Sequence, residues 1–259
     1  MLAPIILCPA AGARAKTAVN GVCRGGRSDR PCVDHNRIIG KKLRVRYGAV
    51  IFDLDGTLID TLEDLTNAMN FGLRALSLPQ HTPEACRRMI GDGVRTFAWR
   101  ALPAGKEGLR DELVRIMGGY YADHCFDHSR VYNGMGEALV ELRGRGVRLA
   151  VVTNKDQPYA ETVVNHFFAA GTFEHIVGTG PDTPVKPDPA GLIRIVEAMG
   201  LTREACLYVG DSDTDIRTAA NAEMPFVGAA WGFRGREALT QAGATVIADR
   251  PADIVDLTA

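Results

Sequence analysis

The chain has 259 residues, of which 46% are hydrophobic and 24% charged, and its formal net charge is −1. This is the composition of an ordinary globular protein, and the length is sufficient to bury a hydrophobic core. No apolar run approaches the ~20 residues that a membrane-spanning helix needs, which argues against a membrane protein. The six cysteines include no pair at the spacing of a zinc or redox motif, which indicates free thiols and a cytoplasmic protein.

The charge is distributed unevenly along the chain. Residues 1–47 contain ten Lys or Arg and only two acids, so the remainder is acidic and offers no basic surface for nucleic acid. Residues 1–46 also lack a sustained hydrophobic period, and we predict a basic, disordered extension there. An organelle-targeting segment and a basic arm for an anionic surface remain alternatives.

A regular alternation of strands and helices begins at Tyr47. Short apolar runs typical of buried strands lie at 48–52, 148–152, 175–177, 205–209, 225–227 and 245–247. Helical patterns occupy 136–145, 159–168, 190–199, 215–222 and 236–242. This order predicts an α/β fold, a doubly wound parallel sheet with a Rossmann-like core, in which the carboxyl ends of the strands share one edge.

The stretch 62–128 interrupts this alternation. Apolar residues recur there at three- and four-residue steps, as in Leu62, Leu65, Met69, Leu73 and Leu76. We therefore predict a small helical cap at 62–128, inserted into a catalytic core formed by 47–61 and 129–259. Thr82 followed by Pro83 predicts a helix start, and a longer helix is expected from about Glu107 to His124.

Two carboxylates mark the end of the first strand. Asp53 and Asp55 follow the apolar run and face the same side of the chain because side chains alternate along a strand. Such a pair can bind one divalent cation, or one carboxylate can attack while the other transfers a proton. A turn or helix cap is the structural alternative, which the Gly56-Thr57 pair after the acids makes less favourable.

This segment resembles the first motif of the haloacid dehalogenase superfamily. Three further segments resemble the remaining motifs in the expected order: a strand ending in a hydroxyl residue, a lysine loop and an acidic loop. The four motifs lie at 53–57, 151–155, 185–189 and 207–215. Four motifs in order are strongly specific, and the resemblance extends from about Tyr47 to the C-terminus.

The resemblance implies a role for each motif. Asp53 would attack phosphorus, and Asp55 would protonate the leaving group and then deprotonate the attacking water. Thr153 and the backbone of Asn154 would bind the phosphoryl group, and Lys186 would supply positive charge. Phosphoryl transfer requires this combination of positioning and electrostatic stabilisation.

The resemblance also implies a metal site. Asp53, the backbone carbonyl of Asp55 and Asp211 would be the ligands, with Asp215 orienting the metal's waters and the lysine. A site of oxygen ligands that retains waters suits Mg²⁺.

Several activities compete within the superfamily. A dehalogenase has no need of Asp55, and the related phosphosugar mutases carry a cap histidine where this chain has Leu65, so both are less favoured. A non-catalytic phosphometabolite-binding protein has little reason to retain the whole set of motifs. The segments 59–61, 90–94, 120–121, 132–134 and 230–234 most resemble those of phosphoglycolate phosphatases, with phosphatases of amino-sugar phosphates or pyrophosphate as alternatives. The expected partner is a small phosphorylated metabolite, with no nucleic acid or membrane, and the expected state is a monomer or homodimer.

Substrate recognition is expected from the predicted cap. Gly91 and Gly93 resemble a specificity loop that begins a helix, whose N–H groups can hold a carboxylate, and Arg95 is the nearest cation in the sequence. Asp92 would repel an anionic substrate unless it is neutralised. His124 and His128 have a zinc-like spacing, but we interpret them as exposed residues at a helix end.

Overall fold

The computed structural model describes residues 47–258. Its centre is a six-stranded sheet in which every neighbouring pair is parallel, in the order β5-β4-β1-β6-β7-β8. The strands are β1 Ala49–Phe52, β4 Arg148–Asp156, β5 His175–Thr179, β6 Cys206–Gly210, β7 Phe226–Ala229 and β8 Ile247–Ala248. The order reverses direction at β1, so the predicted doubly wound topology is confirmed.

Helices cover both faces of the sheet. They are α5 Met135–Gly144, α6 Gln157–Phe167, α7 Ala190–Ala198, α8 Asp213–Asn221, α9 Gly235–Gln241 and α10 Pro251–Leu257. Along β1 the side chains alternate: Val50 and Phe52 join one hydrophobic cluster, and Ala49 and Ile51 join another. Burial on both faces explains why β1 is apolar throughout.

Four further helices follow β1 in the chain and pack on one another. They are α1 Leu62–Ala75, α2 Pro83–Met89, α3 Val94–Ala101 and α4 Arg110–His124, with a short 3₁₀ turn at Glu107–Leu109. The hydroxyl of Thr82 accepts a hydrogen bond from the backbone N–H of Ala85 and caps α2, as the sequence predicts. We call residues 62–124 the helical segment.

A two-stranded antiparallel ribbon joins the helical segment to the sheet. Its strands are β2 Ile59–Asp60 and β3 Arg130–Val131, paired Ile59 to Val131 and Asp60 to Arg130. Strands of two residues carry no readable alternation, so the sequence pattern did not predict the ribbon. It places the two ends of the helical segment side by side.

Between residues 47 and 258 no helix combines the length and the apolar character required to cross a bilayer. The predicted basic extension at 1–46 lies outside the described residues.

Candidate active site

The carboxylates of the first motif lie at the carboxyl end of β1, in the middle of the sheet. Asp53 is buried, and its backbone N–H donates to the carbonyl of Val209 in β6, which extends the β1–β6 pairing to Asp53. Gly56 then turns the chain with a φ of +86°, where a Cβ would come within 2.6 Å of an Asp211 carboxylate oxygen. This close approach requires glycine and brings the first and fourth motifs together.

Lys186 connects two of the buried acids. Its Nζ lies 2.8 Å from Oδ1 of Asp53 and 2.7 Å from Oδ1 of Asp215, and it also donates to the hydroxyl of Tyr208 at 3.1 Å. Tyr208 in turn donates to Oδ1 of Asp215 at 2.5 Å, while Ser212 donates to Oδ2. Asp215 is therefore fully occupied as an acceptor and fixes the position of the lysine.

The electrostatics of this cluster follow from burial and charge. Burial raises the pKa of Asp53, with Lys186 opposing the shift and Asp215 adding to it. Burial also disfavours the charged form of Asp215, but Lys186 and the hydroxyl donors hold the pKa of Asp215 below its usual range. Burial disfavours the Lys186 ammonium as well, yet the two carboxylates raise its pKa. The lysine therefore remains charged beside the nucleophile candidate.

Asp211 brings a third carboxylate to the same edge. Carboxylate oxygens of Asp53, Asp211 and Asp215 lie within 4.8 Å of one another, and all three residues are buried. Burial, with added repulsion from the other two acids, raises the pKa of Asp211 to about 8. Oxygen donors crowded in this way fit a divalent cation, which would offset their repulsion. Because Asp215 is occupied by hydrogen bonds, Asp53 and Asp211 are the carboxylates available to a metal.

Asp55 has two fixed partners. Its Oδ1 accepts from the hydroxyl of Thr61 at 2.7 Å, and its Oδ2 lies 2.9 Å from Nζ of Lys155. The Lys155 side chain is only 6% exposed. Lys155 is the last residue of the second motif, and the sequence predicted no role for it. The pairing of β4 with β5 is irregular between Val152 and Asp156, and residues 153–156 all line the cavity, so strand alternation does not predict the position of Lys155.

The second motif contributes two buried residues. The hydroxyl oxygen of Thr153 accepts from the backbone N–H of Lys155 at 3.2 Å, which leaves its own proton for an acceptor in the site. The side chain of Asn154 donates to the carbonyl of Gly91 at 2.9 Å and accepts from the backbone N–H of Lys186 at 2.6 Å. Asn154 thus positions the lysine loop and the glycine turn of the helical segment.

A cavity of about 290 Å³ lies between the sheet edge and the helical segment. Asp53, Asp55, Thr153, Asn154 and Lys155 line the sheet side. The opposite wall comes from the helical segment and includes Gly91, Gly93, Val94, Phe97, Met117 and Tyr121. The two glycines are therefore at the cavity, as their motif predicts. The arrangement presents two carboxylates, Asp53 and Asp55, and the Lys155 ammonium to one ligand in the cavity.

Comparison with known proteins identifies the family. The family model described as haloacid dehalogenase-like hydrolase matches residues 50–229. The chain belongs to the haloacid dehalogenase-like hydrolases. The predicted family and the predicted class of enzyme, a phosphoric monoester hydrolase, are confirmed.

Individual relatives of this hydrolase are known. The phosphoglycolate phosphatase of Rhodospirillum rubrum is 35% identical over 217 residues, which are 80% of this chain and 89% of the relative. That of Aquifex aeolicus is 32% identical over 184 residues, covering 71% of this chain and 85% of the relative. The structure of a predicted phosphoglycolate phosphatase from Haemophilus somnus aligns with a TM-score of 0.76 at 29% identity, covering 83% of this chain and 99% of the other.

The structure corrects one assignment in the glycine turn of the hydrolase. Arg95 points to solvent, where it pairs with Asp111 at 2.7 Å, and it is not among the residues that line the cavity. The physical reason is its position on α3: Val94 and Phe97 face the cavity, which turns the intervening side chain outward. Arg95 is therefore not a cation of the cavity wall, whereas Lys155 and Arg115 are.

Asp92, whose charge raised a difficulty for anionic substrates, is neutralised. Its Oδ2 lies 2.5 Å from the guanidinium of Arg100, and its Oδ1 accepts from Thr214 at 2.5 Å. Burial favours the neutral acid, but these donors hold the pKa of Asp92 below its usual range. Because Thr214 belongs to α8, the same carboxylate also joins the helical segment to the catalytic unit.

The histidine pair is not a metal site. His124 is exposed and lies 2.8 Å from Asp127, and His128 faces Glu63 at 3.4 Å. Within residues 47–258 the acids at 53, 211 and 215 form the one group of three His, Cys, Asp or Glu residues close enough to hold an ion. The interpretation of the histidines as helix-end residues agrees with this geometry.

Proposed function

We propose that the hydrolase cleaves 2-phosphoglycolate to glycolate and phosphate in a Mg²⁺-dependent reaction through an aspartyl-phosphate on Asp53. The observation that carries the proposal is the pairing of Asp53 with Asp55 at one cavity, the first held by Lys186 and the second by Lys155. Relatives named phosphoglycolate phosphatase support the choice of substrate. We further propose that the protein acts in the cytoplasm on a small metabolite, as a monomer or homodimer.

The side chains divide the chemistry between two steps. In the first, a carboxylate oxygen of Asp53 attacks phosphorus while Asp55 donates a proton to the departing glycolate oxygen. In the second, Asp55 removes a proton from the water that hydrolyses the aspartyl-phosphate. Lys186 and the hydroxyl of Thr153 stabilise charge on the transferring oxygens. The fixed contacts of Asp55 with Thr61 and Lys155 keep it directed at the leaving group.

Asp53, Asp211 and the backbone carbonyl of Asp55 would hold the cation, and Asp215 would orient Lys186 and the surrounding waters. When bound, a divalent ion would neutralise charge on the phosphoryl group. The crowded carboxylates at Asp53 and Asp211 support this assignment.

A panel of phosphate monoesters tests the proposed substrate. Phosphate release should be measured for phosphoglycolate, an amino-sugar phosphate, pyrophosphate and an aryl phosphate. We expect kcat/KM for phosphoglycolate to exceed the others by about tenfold or more, since a site that binds a substrate's polar group discriminates against analogues lacking it. Highest activity on pyrophosphate or an amino-sugar phosphate would instead favour those alternatives.

Metal removal should abolish turnover, and Mg²⁺ should stabilise the protein. With Mg²⁺ about 100-fold above its Kd, we expect about 2.7 kcal/mol of added stability, measured by thermal unfolding. Because the raised pKa of Asp211 means that the folded metal-free site holds a proton in mildly acidic solution, Mg²⁺ must displace it there. The shift in Tm should therefore be larger at about pH 9 than at about pH 6. In Asp211→Asn the shift should disappear; an unchanged shift would place the metal elsewhere.

The ion pair between Asp92 and Arg100 leads to a separate prediction. Arg100→Met removes the ion pair of the Asp92 carboxylate beside the cavity, although Thr214 still donates to it, so KM for phosphoglycolate should rise by about three- to tenfold through repulsion. The double variant Arg100→Met/Asp92→Asn should restore the original KM. Arg95→Met is the matched control and should have no effect. Equal KM values for all variants would show that the charge at Asp92 does not affect substrate binding.

A further inference from the structure

The wall of the cavity contains a buried hydroxyl without a partner. Tyr121 is 4% exposed and lines the cavity, and among the described residues its Oη has no hydrogen-bond partner within 3.5 Å. Burial raises the pKa of Tyr121 to about 12, and the nearby Lys155 ammonium opposes that rise. A buried hydroxyl without a hydrogen bond is unfavourable, by about 1–3 kcal/mol. Its neighbour on α4, Tyr120, differs: that ring stacks on Phe71 and His124 and does not line the cavity.

A lysine lies over the ring of this tyrosine. Nζ of Lys155 is 5.0 Å from the centre of the Tyr121 ring, and it also lines the cavity. An ammonium group has three N–H donors, and the hydrogen bond to Asp55 uses one of them. The lysine therefore retains donors for a ligand without releasing Asp55.

We propose that the Tyr121 hydroxyl and the Lys155 ammonium form the subsite that binds the substrate's carboxylate. This inference rests on the proposed function. The carboxylate carbon of phosphoglycolate is two bonds from the leaving oxygen, and that oxygen must contact Asp55. Lys155 is hydrogen-bonded to Asp55 on the cavity side, so it stands where the carboxylate would extend. Tyr121 comes from the helical segment and Lys155 from β4, so a carboxylate bound to both connects the two parts of the molecule.

Tyr121→Phe provides the test, because it removes one oxygen and keeps the ring. The measured quantity is kcat/KM for phosphoglycolate divided by that for ethyl phosphate, which lacks the carboxylate. Since a hydrogen bond to a charged group is at stake, this ratio should fall about tenfold or more in Tyr121→Phe, chiefly through KM. Tyr120→Phe is the matched control and should keep the ratio of the unmodified enzyme. Lys155→Met is unsuitable, since it also leaves Asp55 without its ion pair.

A second measurement separates binding from folding. Removing an unpartnered hydroxyl should leave the Tm of Tyr121→Phe equal or higher, whereas a structural role would lower it. An unchanged ratio, an equal loss on both substrates, or a fall in Arg115→Met instead would overturn the subsite alone. If the unmodified enzyme does not prefer phosphoglycolate to ethyl phosphate, both the proposed substrate and this subsite are overturned.

Discussion

Asp53→Asn is expected to lower kcat by about 10⁴-fold or more, because an amide is a poor nucleophile and a weaker metal ligand. The geometry makes the effect specific to this residue. Asp53 is buried at the end of the central strand, with one oxygen held by Lys186 and the cavity in front of it. Phosphate release under saturating phosphoglycolate measures the loss.

The matched control is Asp213→Asn, which changes an exposed acid at the start of α8 that pairs with Arg217. It should retain nearly full activity. Mass spectrometry must exclude deamidation of the new asparagine, which would regenerate the aspartate. Near-normal activity in an intact Asp53→Asn sample would show that another residue is the nucleophile.

Lys186→Met should destabilise the metal-free protein by about 3–5 kcal/mol, because removing one partner of a buried ion pair leaves uncompensated charge. Here two buried carboxylates, Asp53 and Asp215, would face each other without the ammonium that separates them. Urea unfolding in a chelating buffer measures the change. Lys106→Met, which alters an exposed lysine, is the control and should have little effect.

The same variant should depend on pH in a defined direction. Burial already raises the pKa of Asp53, and without Lys186 the opposing influence is gone. A carboxyl whose folded pKa exceeds its unfolded pKa costs stability once pH rises past the folded value. Lys186→Met should therefore recover stability as pH is lowered toward about 5, where the buried carboxyls take up protons. A loss independent of pH would mean that packing, rather than charge, dominates.

Much of the sheet edge could be predicted because three of the four motifs lie at the end of a strand. Apolar runs identify β1, β4 and β6, and parallel strands bring their carboxyl ends together. Asp53, Thr153 and Asp211 therefore lie at one edge although they are distant in sequence. The positions of the strands along the chain were sufficient for this prediction, because a parallel sheet places the carboxyl ends of its strands at one edge. Lys186 lies in the loop that follows β5, so a strand end does not place it.

The contribution of the helical segment could not be predicted as well. Which side of α3 and α4 faces the cavity depends on how the four helices pack on one another. This packing places Tyr121 in the cavity wall and leaves Arg95 outside it. The neutralisation of Asp92 likewise depends on Arg100, which lies eight residues later in the chain, and on Thr214 in α8. Alternation along β6 predicts only the face of the sheet on which Tyr208 lies. The hydrogen-bond partners of Tyr208 and Lys155 depend on tertiary contacts that the sequence pattern does not show.

The ribbon of β2 and β3 has a consequence for folding and divergence. Because it holds the ends of the helical segment together, β1 can pair with β4 as though the intervening residues were a short loop. Loop-closure entropy grows slowly with length, by about 0.6 kcal/mol per doubling, so a longer or shorter insertion would barely change this cost. The helical segment can therefore be replaced in evolution or by grafting while the register of the sheet is preserved, and new leaving groups can be accepted without moving Asp53.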